Sequence, residues 1–451
     1  MTFSAEQLNM LLVELNARSR KVRESHDATH PRDVVLSPVM SAILGTLTRR
    51  TVPILDVAVE AISSKLFVRD ITTDKATLTK QLRAWLKANT FELLERELYR
   101  HIVRDGTAYI LASWGASGPV LTVKEAYDGM DGAAAVCSEM DDSTLYTVNT
   151  WLVGGTRYLD CYFDDRIEKY IALQGRWELR RDAPDETWPV PWVNADGEPL
   201  GSALIAIGDG ESRIRNSIQL GDDFNAALLD MAALSRSQGW PQRFMTGGNN
   251  EFLVTSNGQP LRDEFNRPVR RRIIVEPGSI LTLGDNKIEQ LDAATLDTQY
   301  LRELISLISL STGVPQHVFT GDWPSGIALQ SAEIRLNEKV EDLQGVISPS
   351  LISMVRLMVK MSALFGGPVY AEPDISVSWY PPEIESEDLR QGRDKATKEL
   401  YAAGLMSMPR AVATLHPEWS DEQISDECAL ILSAETGRAQ RIATNNPTPG
   451  A

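Results

Sequence analysis

One stretch, residues 295–365, constrains the fold most, because it predicts a helix, a short break and a second, much longer helix. The first helix places an apolar face at three-to-four spacing, formed by Leu296, Tyr300, Leu304, Leu307 and Ser311. The second begins at Ile327 and, at ~1.5 Å per residue, would be on the order of 55 Å long. Its apolar stripe consists of Leu336, Val340, Leu343, Ile347, Leu351, Val355 and Met358. Such a helix needs a large partner surface, from the same chain or from neighbouring copies.

The break between the two helices has the sequence TGVPQHVFTGDWPSG. Proline lacks the backbone N–H and glycine is conformationally loose, so this segment predicts a loop. Inside the long helix, Gly345 and Pro349 predict a kink.

Composition narrows the class of protein. A chain of 451 residues can form two to four structural units, and its net charge of −17 argues against a protein that coats nucleic acid by neutralising phosphates. Acidity is compatible with simple solubility, which we favour, or with a passage along which DNA slides.

The three cysteines are far apart, which favours neither a disulfide framework nor a zinc site. We also expect no membrane span and no signal peptide, since the most apolar run found, 52–68, carries three charges.

Periodicity predicts an α+β fold. Residues 1–110 are mainly helical, and the last of these helices enters a strand, Ala108–Trp114, through Asp105-Gly106. Between about 119 and 210 the period changes to two, which predicts antiparallel strands joined by hairpins. Helical spacing returns over 212–236.

The remainder of the chain alternates between short elements. Residues 241–294 predict a compact α/β or β insert, with RRRIIVEPGSILTLG as a strand–turn–strand. A strand is expected at Asp374–Tyr380, helices over 385–440 and a disordered tail over 441–451.

Most catalytic signatures are absent from the sequence. No Gly precedes a Lys, so there is no P-loop, and none of the five His residues is followed by Glu, as a zinc-protease motif requires. One acidic cluster could hold Mg²⁺ for a metal-dependent nuclease or phosphotransferase: Asp160, Asp164, Asp165 and Glu168. The favoured alternative is that Asp164-Asp165 forms a solvated hairpin turn, and that Asp222-Asp223 lies on a solvated helix face. We therefore expect no cofactor, no metal and no enzymatic activity.

Arginines cluster within the 241–294 insert: Arg243, Arg262, Arg267, Arg270, Arg271 and Arg272. Such a cluster could contact phosphates or an acidic partner surface. It could equally protect an edge strand from pairing. Both interpretations remain open.

Four stretches in this order resemble the portal proteins of tailed bacteriophages, over roughly residues 35–400. They are HIVRDGTAYILASW; SRIRNSIQLGDDFNAALLDMAALSR followed by GWPQRFMTGG; LISLISLSTGVPQHVFTGDWPSGIALQSAEIRL; and SVSWYPPEIESEDLRQGRDKATKELYAAGLMS. The resemblance implies a ring, usually of twelve copies, at one capsid vertex of the virion. It also implies double-stranded DNA passing through the ring and, as partners, the terminase large subunit, head-completion or neck adaptor proteins, and major capsid and scaffold proteins. Assembly would take place in the host cytoplasm. Besides the nuclease considered above, the alternative is a different oligomeric shell or phage structural adaptor protein that never contacts DNA.

The resemblance also implies named parts for this chain. They are a wing of 1–210 with a wing strand in 367–384, a first stem helix in 211–239, a clip in 240–294, a second stem helix in 295–312, a tunnel loop in 313–326, a long kinked helix in 327–366, short crown helices in 385–440 and the tail 441–451. In the tunnel loop, the residues expected near the DNA are His317, Phe319, Asp322, Trp323 and Pro324. Gly313 and Gly326 would be hinges. The alternative is that Phe319 and Trp323 anchor the loop to the core, which we favour for Phe319. Whether the clip arginines meet DNA or terminase stays open.

Overall fold

The computed structural model describes residues 2–138, 143–239, 243–247, 252–253, 255–257, 259–269, 280–284, 287–290, 298–324, 326–370, 372–382, 387–416, 419 and 423–434. Its helices are α1 Ala5–Thr29, α2 Pro38–Leu44, α3 Ile54–Ser63, α4 Ala76–Ala88, α5 Phe91–Asp105, α6 Ile218–Gly239, α7 Gln299–Thr312, α8 Gln316–Thr320, α9 Gly326–Leu364, α10 Glu387–Ala402 and α11 Met408–Leu415. Its strands are β1 Asp33–Val35, β2 Thr48–Arg50, β3 Val68–Thr73, β4 Thr107–Gly115, β5 Gly118–Lys124, β6 Gly132–Cys137, β7 Thr144–Val153, β8 Thr156–Tyr162, β9 Arg166–Leu173, β10 Arg176–Leu179, β11 Val190–Pro191, β12 Leu204–Gly208, β13 Arg243–Gly247, β14 Ile280–Gly284, β15 Lys287–Gln290 and β16 Ile375–Trp379. Helices and sheets are thus mixed, as the α+β prediction requires.

The chain divides into two compact units. The first consists of Met1–His30, Ile54–Ile218 and Ser309–Ala451, and the second of Pro31–Pro53 and Gln219–Ile308.

The predicted antiparallel strands form the largest sheet of the first unit. Five strands run in the order β10-β9-β8-β7-β6, and the short strand β11 pairs with the first two residues of β9. Every pairing is antiparallel. Leu8, Leu11 and Leu15 of α1 pack on one face of this sheet. The serine at the start of α1 forms a capping box with Gln7, which satisfies N–H groups at the helix terminus.

A second sheet, β12-β4-β5, receives the chain from α5. The entry is at Gly106, as predicted: its φ is +86°, and an added Cβ would lie 2.5 Å from the backbone N of Glu211. A side chain at this position would therefore clash with backbone atoms, which explains the glycine. The predicted strand at 374–380 is β16, and it pairs with β3, a strand that the sequence did not predict.

The long helix α9 spans 39 residues and continues through Gly345 and Pro349. All seven predicted stripe residues are 0% or 1% exposed. The stripe packs inside the chain, where α9 contacts β4, β5, β12 and β16. The partner surface of the stripe therefore comes from the same chain, the first of the two alternatives left open by the sequence. The kink itself stays a prediction.

Part of α9, Ser331–Leu364, is also long and apolar enough to cross a membrane by length and composition alone. Half of this stretch is buried inside the chain, as in the core helix of a folded protein.

The second unit combines the β1–α2–β2 segment with α6 and a small sheet. β1 and β2 are antiparallel neighbours, and neither was predicted. Polar contacts join this segment to α6. Oδ1 of Asn225 accepts a hydrogen bond from the N–H of Val52 at 2.7 Å, and Arg32 forms an ion pair with Asp222 of α6 at 2.6 Å. In the small sheet, β13 lies between β14, to which it is parallel, and β15, to which it is antiparallel. β14 is the second strand of the predicted strand–turn–strand.

The C-terminal helices form a small cluster of their own around Val412, Ile424 and Cys428. The tail 441–451 lies outside the described residues, so its predicted disorder stays a prediction.

Candidate functional site

The segment between α7 and α9 begins at a position that strongly favours glycine. Gly313 has φ +75°, and its N–H donates to the carbonyl of Ser309 at 2.8 Å. An added Cβ would lie 2.7 Å from Cε of Lys339 on α9. The Lys339 ammonium donates to the carbonyl of Thr312 at 2.5 Å, so a cation caps the C-terminal end of α7.

Lys339 is partly buried, and burial is the main reason why its pKa is lowered; the nearby charges of Arg335 and Arg213 act in the same direction. The ammonium nevertheless lies where the helix dipole favours a positive charge. Gly313, the first predicted hinge, is therefore packed against a side chain that holds the end of α7. Its hinge role stays a prediction, as does that of Gly326, which begins α9.

The middle of the segment is a short helix, α8, where the sequence predicted only loop. Pro315 precedes its first turn, and Gly321 ends it with φ +76° while its N–H donates to the carbonyl of His317 at 2.8 Å. Proline and glycine thus flank one helical turn here, although their density predicted an irregular segment.

His317 fixes this short helix to the rest of the first unit. The side chain is buried, its ring centroid lies 4.8 Å from that of Trp323, and its Nε2 lies 3.7 Å from Oε1 of Glu333. That separation is too long for a hydrogen bond, so the two side chains are close to each other without one. His317 is therefore buried at the base of the segment, and its expected position near the DNA stays a prediction.

Glu333 is the centre of this base. Its Oε2 accepts a hydrogen bond from the Lys65 ammonium at 2.8 Å. Both side chains are largely buried, with exposed fractions of 5% for Glu333 and 14% for Lys65. Lys65 also donates to Oδ1 of Asn337 at 2.9 Å and to the carbonyl of Pro382 at 3.0 Å. α8, α9 and the end of α3 are thereby joined through one buried ion pair.

The other predicted loop residues differ in exposure. Trp323 is 64% exposed and Asp322 is exposed, whereas Phe319 and Pro324 are partly buried. The partial burial of Phe319 agrees with the anchoring alternative. Trp323 agrees with both alternatives, because its ring lies against that of His317 while most of its surface is accessible.

The predicted basic cluster is only partly described. Arg262 and Arg267 are exposed, and the guanidinium of Arg262 donates to the carbonyl of Asn266 at 3.0 Å. The backbone of Arg243 begins β13. Arg270, Arg271 and Arg272 lie outside the described residues.

The acidic cluster does not converge, which is evidence against the nuclease alternative. Asp160 lies opposite Lys169 across the β8–β9 ladder, and Cys161 lies opposite Glu168. Because successive side chains alternate between the faces of a sheet, Asp160 and Glu168 point to opposite faces. Asp160 pairs with Arg180 at 3.0 Å, and Glu168 pairs with Arg166 at 2.8 Å. Asp164 and Asp165 form the turn between the strands, as the favoured alternative predicted.

Glu333, Lys65 and Lys339 were not predicted as residues of this site. One signal was available, since Glu333 lies three residues before Leu336 and therefore in phase with the buried stripe of α9. A charge in phase with an apolar stripe indicates a buried ion pair.

No family model and no curated protein matches the sequence. Similar chains occur among solved structures. A chain in the virion of a native gene transfer agent (GTA) particle shares 15% identity with a TM-score of 0.41, covering 88% of this chain and 98% of that chain. A chain in the neck of an empty GTA particle, computed with C6 symmetry, shares 15% identity with a TM-score of 0.40, covering 85% and 95%. A third, in the neck of a native GTA particle computed with C12 symmetry, shares 16% identity with a TM-score of 0.40, covering 88% and 98%.

Proposed function

We propose that this chain is the subunit of a phage portal: a ring, of twelve copies, through which double-stranded DNA is packaged and ejected. The observation that carries the proposal is the order of elements over 218–364. It consists of a helix, a small three-stranded sheet, a second helix, a short anchored segment and a 39-residue helix. This is the order that the resemblance of the sequence to portal proteins predicts.

In this proposal, the tip around Asp322 and Trp323 contacts the DNA. The exposed indole provides a bulky group, and the buried base of His317 and Glu333 holds the tip in place. A tip without Lys or Arg suits a passage, because each added cation that neutralises a phosphate strengthens binding to the backbone and slows sliding.

The small sheet of the second unit is the proposed docking site for the terminase large subunit and, later, for neck adaptor proteins. The exposed Arg262 and Arg267 would pair with acidic groups on those partners. The ring would occupy one vertex of the capsid, and the wing would face the capsid and scaffold proteins. The proposal assigns no catalytic step to the chain.

Packaging assays test the role of the tip. Deleting the whole of 316–324 would also remove buried His317, so a sharper change is Trp323→Ala. Leu93→Ala is the matched control, because Leu93 on α5 is also 64% exposed. We expect rings of both variants to form normally and only the Trp323 variant to package DNA more slowly. If both variants package DNA at the rate of the unmodified chain, Trp323 does not contact the DNA.

A further inference from the structure

Helix α7 is apolar over a wider arc than its own chain covers. At about 100° per residue, its apolar positions from Leu310 round to Ile305 span about 220°, whereas a helix packed on one surface needs only about 100°. The chain buries the side of Leu304 and Ile308, which are 4% and 0% exposed. Tyr300, Leu307 and Leu310 are 53%, 48% and 61% exposed. The buried face is thus rotated from the predicted one, on which Tyr300 and Leu307 were expected beside Leu304.

We call Tyr300, Glu303, Leu307 and Leu310 the α7 stripe. They follow one another at three- and four-residue intervals and form one continuous face. This is the spacing with which an amphipathic helix places its anchors into an apolar groove.

A groove of that kind lies in the second unit, between α6 and the β1–β2 pair. Its volume is about 520 Å³, and its apolar wall includes Val34, Val52, Leu228, Leu229 and Met231. Arg49 and Arg50 of β2 line the same groove. A surface that fits this groove is therefore apolar and carries a carboxylate that can pair with an arginine.

The α7 stripe has this composition. Its Glu303 is exposed and accepts only a neutral bond, from Nε2 of Gln299 at 3.0 Å. Within the described residues, no ion pair involves Glu303 or Arg49, while Arg50 has a long, exposed pairing with Asp33 at 3.5 Å. The carboxylate and the Arg49 guanidinium are therefore both available for an intermolecular pair.

We propose that the α7 stripe of one copy docks into the α6–β2 groove of the next copy, with Glu303 facing Arg49. The inference rests on the proposed ring and identifies the contact that builds it. Two different surfaces meet, so the contact is head-to-tail, and repeating it closes a ring when the rotation allows. Closure thus depends on a charge pair at the edge of an apolar contact.

Cysteine cross-linking tests which surfaces meet. Copies carrying Leu307→Cys are mixed with copies carrying Leu229→Cys, and the disulfide-linked dimer is measured under oxidising conditions; the unmodified chain, with its three native cysteines, gives the background. We expect the cross-link in the mixture and in neither variant alone. A cross-link in the Leu307→Cys sample alone would mean that two α7 stripes meet, and would overturn the proposal. A second mixture pairs Leu229→Cys copies with copies that carry Val39→Cys on the exposed face of α2. A cross-link in this mixture, and none with Leu307→Cys, would overturn the proposal as well.

A charge swap tests the pair. We expect Arg49→Glu and Glu303→Arg each to raise the concentration at half-assembly about tenfold, and the double variant to return it towards that of the unmodified chain. A double variant no better than the single variants contradicts the proposed pair. Leu307→Asp should abolish assembly, whereas Leu93→Asp, a control on a helix outside the stripe, should not. Rings that persist in Leu307→Asp refute this contact and leave the proposed function standing; an unmodified chain that forms no rings refutes the proposed function itself.

Discussion

Replacing Glu333 with Gln removes the buried counter-ion of Lys65. The Lys65 ammonium would keep two neutral acceptors, Asn337 and the carbonyl of Pro382, but no carboxylate. Gln has nearly the same shape as Glu, so the change alters charge with little loss of packing. We expect the base of the 313–324 segment to be destabilised.

The magnitude follows from burial. Removing one partner of a buried ion pair costs about 3–5 kcal/mol, because the other charge stays in a low-dielectric environment. Lys65 is 14% exposed and keeps two hydrogen bonds, so we expect a loss at the lower limit, about 3 kcal/mol. Removing both charges, with Lys65→Met added to Glu333→Gln, should cost less than Glu333→Gln alone, since no isolated charge then remains.

Urea denaturation of the single and the double variant measures these losses, and hydrogen exchange of the α8 amides reports whether the segment opens. Glu338→Gln is the matched control, because Glu338 lies on the same helix and is exposed. If Glu333→Gln changes the free energy of unfolding by less than about 0.5 kcal/mol, as surface substitutions do, the ion pair does not hold this segment.

Three further predictions concern other parts of the first unit. Gly313→Ala should lower the free energy of unfolding by about 2–3 kcal/mol, because strain at positive φ adds to the displacement of Lys339. Gly321→Ala, at φ +76° with open space around it, should lower it by only about 1–2 kcal/mol. Equal losses in thermal or urea unfolding would contradict the Lys339 contact. Burial raises the pKa of Glu95 to about 7, so the folded state retains a proton that the unfolded state loses, and this group alone should lower stability by about 3 kcal/mol between pH 4.5 and 7. Buried Asp105 and Asp160, whose pKa values are raised to about 6, act in the same direction, so in Glu95→Gln the fall seen in the pH dependence of unfolding should be smaller by about that amount and not absent. His317→Ala should raise the hydrogen-exchange rate of α8, while Trp323→Ala, which removes a largely exposed ring, should change it much less; the reverse order would mean that Trp323 anchors the segment.

Periodicity predicted the long elements well because their signal is local. The stripe of α9 extends over many turns, and every member is buried. The alternation over 119–210 likewise predicted antiparallel strands, and the glycine between α5 and β4 marked their junction.

Short elements and long-range contacts were harder to predict, for physical reasons. β1, β2 and β3 contain only three to six residues, which is too few for a clear period, and each depends on a distant or hairpin partner. α8 spans five residues between a proline and a glycine, so its composition indicated a loop. The Lys65–Glu333 pair joins residues that are 268 positions apart, and no local pattern encodes such a contact.

The break between the two helices was predicted from its proline and glycine residues, but its internal arrangement was not, and its role as a tunnel loop stays a prediction. Trp323 and His317 were expected side by side near the DNA, but Trp323 is 64% exposed whereas His317 is buried at the base of the segment. Its position depends on the buried carboxylate of α9, which lies beyond the break.

Electron microscopy of the purified full-length chain tests the central claim most directly. We expect closed rings of twelve copies with a central hole wide enough for double-stranded DNA, and no assembly of Leu307→Asp. Monomers, closed shells or rings without a hole would contradict it.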